Sequence, residues 1–306
     1  MKKSSKIRAV KSVLAAAMAS MALLPGIAQA DVVSQSILYL SNFTLGATQL
    51  VVPGTANNSG AVSAEINGGA PSTDSFGPLP TGFTLKEQVG PQSGLYAPGI
   101  AIVGAPVGTF AGSFAHLSGN ALFGNGVAQA DNTVSLKPGG NGASSGNLAL
   151  TSSFNLVVPA NTQLFVSFDA VGVLRAAIEP AGYFGQSDAS YQWGITVRKT
   201  GAGGGVVFTW NPDGAPGNIS GGTEGSDAFD MSNNVAVTDG GDDFSLGGSG
   251  QFSAITNKLL AGNYVVAVVH KSSANAKLAY LPEPGSMALL GLGLVGLAAL
   301  RRRAVK

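Results

Sequence analysis

The sequence predicts an all-β chain, an antiparallel β-sandwich of jelly-roll type. Three observations carry that expectation. Glycine supplies 44 of 306 residues, about double ordinary usage. Long Lys/Glu-rich helical stretches are missing. From Tyr191 to Lys199 the chain alternates, with Tyr191, Trp193, Ile195 and Val197 on one face and Gln192, Gly194, Thr196 and Arg198 on the other. That period of two is the mark of a half-buried strand.

In chain order, strands are expected at Ser36–Leu40, Gln49–Val52, Leu148–Val158 and Gln163–Ala170. A short helix is expected at Val171–Ile178, where Leu174, Ala177 and Ile178 share a face. Tyr191–Lys199 then pairs with Val206–Trp210 across the glycine loop Gly201-Ala202-Gly203-Gly204-Gly205, a hairpin signature. Phe252–Thr256, Tyr264–His270 and Lys277–Leu281 complete the set. Tyr264–Val269 is apolar on both faces and reads as a central strand. Pro53–Gly146 is rich in Gly, Pro, Asn and Ser, and reads as long loops over one sheet or as a weaker subdomain. The division is residues 1–30, then 31–281 (31–146 loop-rich, 147–281 with firmer strands), then 282–306.

The two ends are addresses. Lys2, Lys3, Lys6, Arg8 and Lys11 precede an apolar run from Val13 to Ile27. Ala28-Gln29-Ala30 places small residues where signal peptidase requires them, with cleavage before Asp31. This is a secretory signal peptide. At the other end, Pro282-Glu283-Pro284 precedes an uncharged stretch from Met287 to Leu300 and the cluster Arg301-Arg302-Arg303. With Gly285 and Ser286 the stretch spans roughly 24 Å at about 1.5 Å per residue, at the short end of a bilayer core of about 30 Å. Snorkelling arginines extend its reach and hold that end in the cytoplasm. The prolines keep the junction extended and open to a peptidase.

Triplet, apolar core and arginine cluster, in that order, resemble the PEP-CTERM sorting signal. The resemblance covers about residues 282–303 and implies a Gram-negative exported protein. It implies removal of the tail by an exosortase-type membrane peptidase, after transient anchoring in the inner membrane. The protein would then reach the cell surface or extracellular matrix, linked to biofilm and exopolysaccharide. A plain single-span anchor is the alternative reading of the same residues.

Removing the five bases of residues 1–30, and the four bases and one acid of 282–306, leaves eight basic and fifteen acidic residues in 251. A net charge of −7 argues against nucleic acid as a partner and suits cations or neutral glycans. There is no cysteine, so disulfides and thiolate chemistry are excluded. No cofactor is expected, with Ca²⁺ the one candidate ion. Asp239, Asp242 and Asp243 lie on a glycine-rich loop and are the oxygen ligands calcium takes, or else a solvated acidic loop. Trp193 and Trp210, near Tyr183, Phe184 and Tyr191, form either a glycan platform or strand core, and the alternation favours core.

Catalysis has little to stand on. Gly142-Ala143-Ser144-Ser145-Gly146 matches a nucleophile elbow but lacks a preceding strand. Gly291-x-Gly293-x-x-Gly296 lies within the apolar tail and has no sheet around it. His116 and His270 are far apart, and His270, beside Lys271 at a strand end, is expected at the surface. The expectation is a non-enzymatic surface or matrix protein. A glycan-binding module and a secreted hydrolase are the alternatives, the first marked by exposed tryptophans and the second by facing carboxylates or a serine beside a histidine.

Overall fold

A computed structural model describes residues 31–66, 69–79, 82–90, 109–119, 121, 125–136, 143–179 and 184–279. The expected signal peptide and C-terminal span lie outside them. The described chain is strand and connection, with no α-helix. The first seven strands are β1 (Asp31–Ala47), β2 (Val52–Ile66), β3 (Ser72–Leu79), β4 (Phe83–Val89), β5 (Phe110–Ser118), β6 (Gly126–Leu136) and β7 (Ala143–Val158). Then come β8 (Leu164–Glu179), β9 (Phe184–Lys199), β10 (Val206–Trp210) and the short β11 (Ile219–Ser220). The last four are β12 (Gly222–Ser226), β13 (Asn234–Asp239), β14 (Asp243–Thr256) and β15 (Gly262–Ala279).

They form two antiparallel sheets. Sheet A runs β12-β14-β8-β1-β6-β5-β4, and sheet B runs β11-β10-β9-β15-β7-β2-β3, with β13 also pairing β9. As the apolar pattern predicts, β15 is interior, bonded to β9 and β7 along its length. The glycine-loop hairpin is β9–β10, with Trp210 opposite Ile195.

Three expectations are corrected. Val171–Ile178 is not a helix but the second half of β8, because β1 and β14 pair with it on both sides and satisfy its backbone. Gln49–Val52 lies almost wholly in the connection between β1 and β2, where Leu50 is solvent-exposed. Lys277–Leu281 is no separate strand, since β15 runs unbroken from Gly262 to Ala279.

The inward faces pack as two clusters. The larger centres on Trp193, Trp210, Phe168, Phe252 and Phe43. Phe168 stacks on Phe252 at 5.0 Å between centroids, and the two indoles meet edge-on at 5.8 Å. The smaller holds Val62, Phe83, Leu85, Ala115, Ala130 and Leu150. Elsewhere the sheets are stitched by serines. Ser36 Oγ donates to the Ser190 carbonyl at 2.7 Å, Ser187 Oγ to the Val33 carbonyl at 2.6 Å, and Ser34 Oγ to the Asp188 carbonyl. One hydroxyl bridges the two backbones there, so they approach closer than the ~10 Å of ordinary stacked sheets. Asn132 Nδ2 donates to Ser272 Oγ, which in turn bonds Ser36 Oγ at 2.8 Å, so these buried polar groups are paired.

Candidate functional site

Between the two core clusters the sheets part around a cavity of about 290 Å³. The pairing register of sheet B fixes its floor. Leu150 of β7, His270 of β15 and Trp193 of β9 stand side by side on neighbouring strands. The next row toward the mouth holds Asn58, Ser152 and Val268, and the row beyond it begins with Ala56 and Phe154. Sheet A supplies the roof with Leu40, Leu117 and Ala128. Small side chains at Ala56, Ser152 and Ala128 leave the volume open. The mouth lies at Pro53, Gly54, Gly82 and Gly119, all solvent-exposed.

The lining is mostly apolar and contains no lysine, arginine or carboxylate among the described residues. Its polar exceptions are pointed. His270 is 2% exposed, and neither ring nitrogen has a hydrogen-bond partner. The Trp193 Nε1–H, fully buried, has none either. Burial in apolar surroundings pushes the His270 imidazole down to about 3, so it is neutral at physiological pH. His270 is therefore not the surface residue its neighbour Lys271 suggested. Both faces of an interior strand alternate, and Tyr264, Val266, Ser272 and Ala274 share its inward face.

Trp193 and Trp210 are both core residues, so neither ring is a surface platform for a sugar. Trp210 Nε1–H donates to Glu224 Oε1 at 2.5 Å, and Glu224 Oε2 accepts from the Gly217 amide at 3.0 Å. That carboxylate pair of contacts distinguishes it from Trp193, which lines the cavity and whose N–H has no partner.

Of the three loop aspartates, Asp243 is engaged. Arg175 grips it with two hydrogen bonds of 3.0 and 2.8 Å, which hold the Asp243 carboxyl below its ordinary range. Asp239 and Asp242 flank a tight turn in which Gly241 takes a φ of 95°. Among the described residues no group of three His, Asp or Glu side chains is arranged to hold a metal ion.

His116 does sit beside a serine. Its Nε2 lies 3.0 Å from Ser118 Oγ and its Nδ1 2.8 Å from Thr84 Oγ1. Thr84 takes the place where a triad would put a carboxylate. Ser144 is the second residue of β7, paired between Ile66 and Ala276, not a strand-to-helix turn. Sequence reasoning also missed Asp131, fully buried on β6, with Gln129 Nε2 donating to Oδ2 at 2.5 Å and Oδ1 unpartnered. Burial pushes its carboxyl up to about 8.

The remaining candidates, Ala28, Ala30, Pro282, Glu283, Pro284, Arg301, Arg302 and Arg303, lie outside the described residues; Asp31 opens β1 opposite Glu179. Comparison with known families decides the C-terminal group. The pattern described as the PEP-CTERM protein-sorting motif matches residues 281–303. The chain carries, over those residues, the sorting motif of exosortase substrates. The PEP-CTERM tail implies export with transient membrane anchoring. Among the described residues no helix is long and apolar enough to cross a membrane.

No curated protein matches the chain. Solved structures of infectious bursal disease virus align weakly. The VP2 subviral particle is 12% identical over 89% of this chain and 75% of that one, with a TM-score of 0.10. The Gt strain is 14% identical over 89% and 74%, with a TM-score of 0.09. Likeness at that level carries no argument about fold or function.

Proposed function

We propose that this PEP-CTERM protein is a non-enzymatic β-sandwich delivered to the cell surface or extracellular matrix, in association with exopolysaccharide and biofilm. The single observation that carries the reading is the placement of the motif. β15 ends at Ala279 and the motif begins at residue 281, so cutting at Pro282–Pro284 removes none of the described strands. The peptidase releases a sandwich with its ladders and both core clusters complete. Other features are consistent with a structural role. The mature chain is acidic and free of cysteine, and its hydroxyl-rich seams hold the sheets together without crosslinks.

The experiment fuses residues 281–306 to a secreted reporter in a host that has an exosortase. The parent fusion is cleaved and released. Pro282→Ala with Pro284→Ala is retained in the membrane fraction, and so is the triple Arg301, Arg302, Arg303→Ala version. Release of the proline variant at the parental rate refutes the sorting mechanism. Deleting the gene in its native host then tests the matrix role, which predicts less retained polysaccharide.

A further inference from the structure

We infer that the intersheet cavity is a binding site for a small neutral molecule that is apolar apart from one hydroxyl group, held between His270 and Trp193. The size sets the first limit. An apolar cavity of about 150 Å³ accepts benzene. One of about 290 Å³ takes a ring with a short substituent, roughly eight to twelve non-hydrogen atoms.

Charge sets the second limit. No ionised side chain lines the cavity among the described residues, so an anion or cation would lose its hydration with nothing in return. Hydrogen-bond chemistry sets the third. Trp193 Nε1–H only donates, whereas a neutral imidazole carries one donor and one acceptor. Buried groups of this kind are normally paired, yet none of these three nitrogens is. They stand on directly opposed positions of adjacent strands, where Cβ atoms are about 5 Å apart. A single hydroxyl oxygen between them accepts from the indole while its proton goes to the imidazole acceptor. A hydroxyl group thus satisfies both partners at once.

The mouth fits such a guest. Gly54, Gly82 and Gly119 frame it with little side-chain bulk, and Phe154 and Leu117 give the path apolar walls. Water is the competing occupant, because it too can accept from the indole and donate to the imidazole.

The test uses the protein purified from an exporting, exosortase-bearing host, titrated with p-cresol, toluene and p-toluate. Nuclear magnetic resonance follows the Trp193 indole N–H and the His270 ring nitrogens. The expected result is saturable p-cresol binding that shifts both sets of signals, toluene binding at least tenfold weaker, and no binding of p-toluate. His270→Leu should abolish the preference for p-cresol over toluene. Ala128→Leu, which fills the cavity from sheet A, should abolish both while the urea midpoint stays near that of the parent. Toluene binding as tightly as p-cresol, or binding that Ala128→Leu leaves intact, overturns the proposal. So does the absence of any binding to the folded protein, which would make the cavity a water site only. If His270→Leu does not fold, the wild-type selectivity and the two side-chain signals decide alone.

Discussion

His270 of β15 and Trp193 of β9 stand opposite each other in the pairing register, and no nitrogen of either side chain has a hydrogen-bond partner. The strand ladders around them are complete, so the deficiency belongs to the side chains. It sits where the two core clusters fail to meet, between Leu150 of one and Phe43 of the other.

The same burial gives His270 a consequence for stability. Its folded value is about 3 against an ordinary 6.5, so between those values the unfolded chain binds a proton that the folded chain refuses. Stability is therefore full above pH 6.5 and lost as pH falls toward 3. Asp131 acts in the opposite sense. Raised from 3.8 to about 8, it keeps a proton that the unfolded chain has released, so stability falls as pH rises through that window. The two slopes offset each other between 3.8 and 6.5, and only the Asp131 slope remains from 6.5 to 8. Urea denaturation as a function of pH should show this decline, at most about 1.4 kcal/mol per pH unit. Asp131→Asn should remove it, and His270→Leu should remove the acid-side loss instead.

Much of the fold was legible because β9 and β15 announce themselves with branched and aromatic residues at every second position. β2 to β6 did not. Their inward positions carry Asn58, Ser113, Ala115, Ala130 and Asn132, which read as loop by composition but sit in closely apposed sheets that need small side chains. The Val-Gly-Val-Leu-Arg-Ala-Ala-Ile segment of β8 misled because its local apolar spacing suits a helix, whereas pairing on both sides decides. His270 misled because the strand continues through Ser272, Ala274 and Ala276, residues with no branched-apolar signal. The cavity had no signal at all. It is a volume left by Ala56, Ser152 and Ala128, residues from three distant stretches of chain.

Glycine has a specific task in the aromatic half. Gly172 and Gly248 are register partners on β8 and β14, and the Phe229 ring lies on both. A Cβ on Gly248 would fall 2.7 Å from Phe229 Cδ1, and one on Gly172 2.8 Å from Tyr191 Oη. Gly248→Val should cost about 1–3 kcal/mol by overpacking. Adding Phe229→Ala should recover part of that loss, since the clash partner is gone. A double-mutant cycle from urea midpoints measures the coupling, and additive costs would show that the ring does not bear on the glycine.

Trp210 offers a contrast with Trp193. Its buried N–H is matched by Glu224, whose other oxygen also takes the Gly217 amide. Glu224→Ala should leave the indole unpaired and cost about 1–3 kcal/mol, while Glu224→Gln keeps an acceptor and costs less. Thermal denaturation of the two variants checks the order. Equal losses would mean the carboxylate charge, not its acceptor, is what matters.

Calcium binding at the β13–β14 turn has to compete with an ion pair already in place. Asp243 meets Arg175 through both carboxylate oxygens, and Glu179 lies 3.9 Å from the same guanidinium. That leaves Asp239 and Asp242 as the free carboxylates of the turn, fewer than the six to eight oxygens calcium takes. The pair is partly exposed, so its loss should cost no more than about 1 kcal/mol. Millimolar calcium should therefore leave the melting temperature of the parent unchanged. Arg175→Leu, by releasing Asp243, should create a weak calcium-dependent rise that the parent lacks. A rise of several degrees in the parent would show that the cation displaces the guanidinium, and that the turn is a calcium site after all.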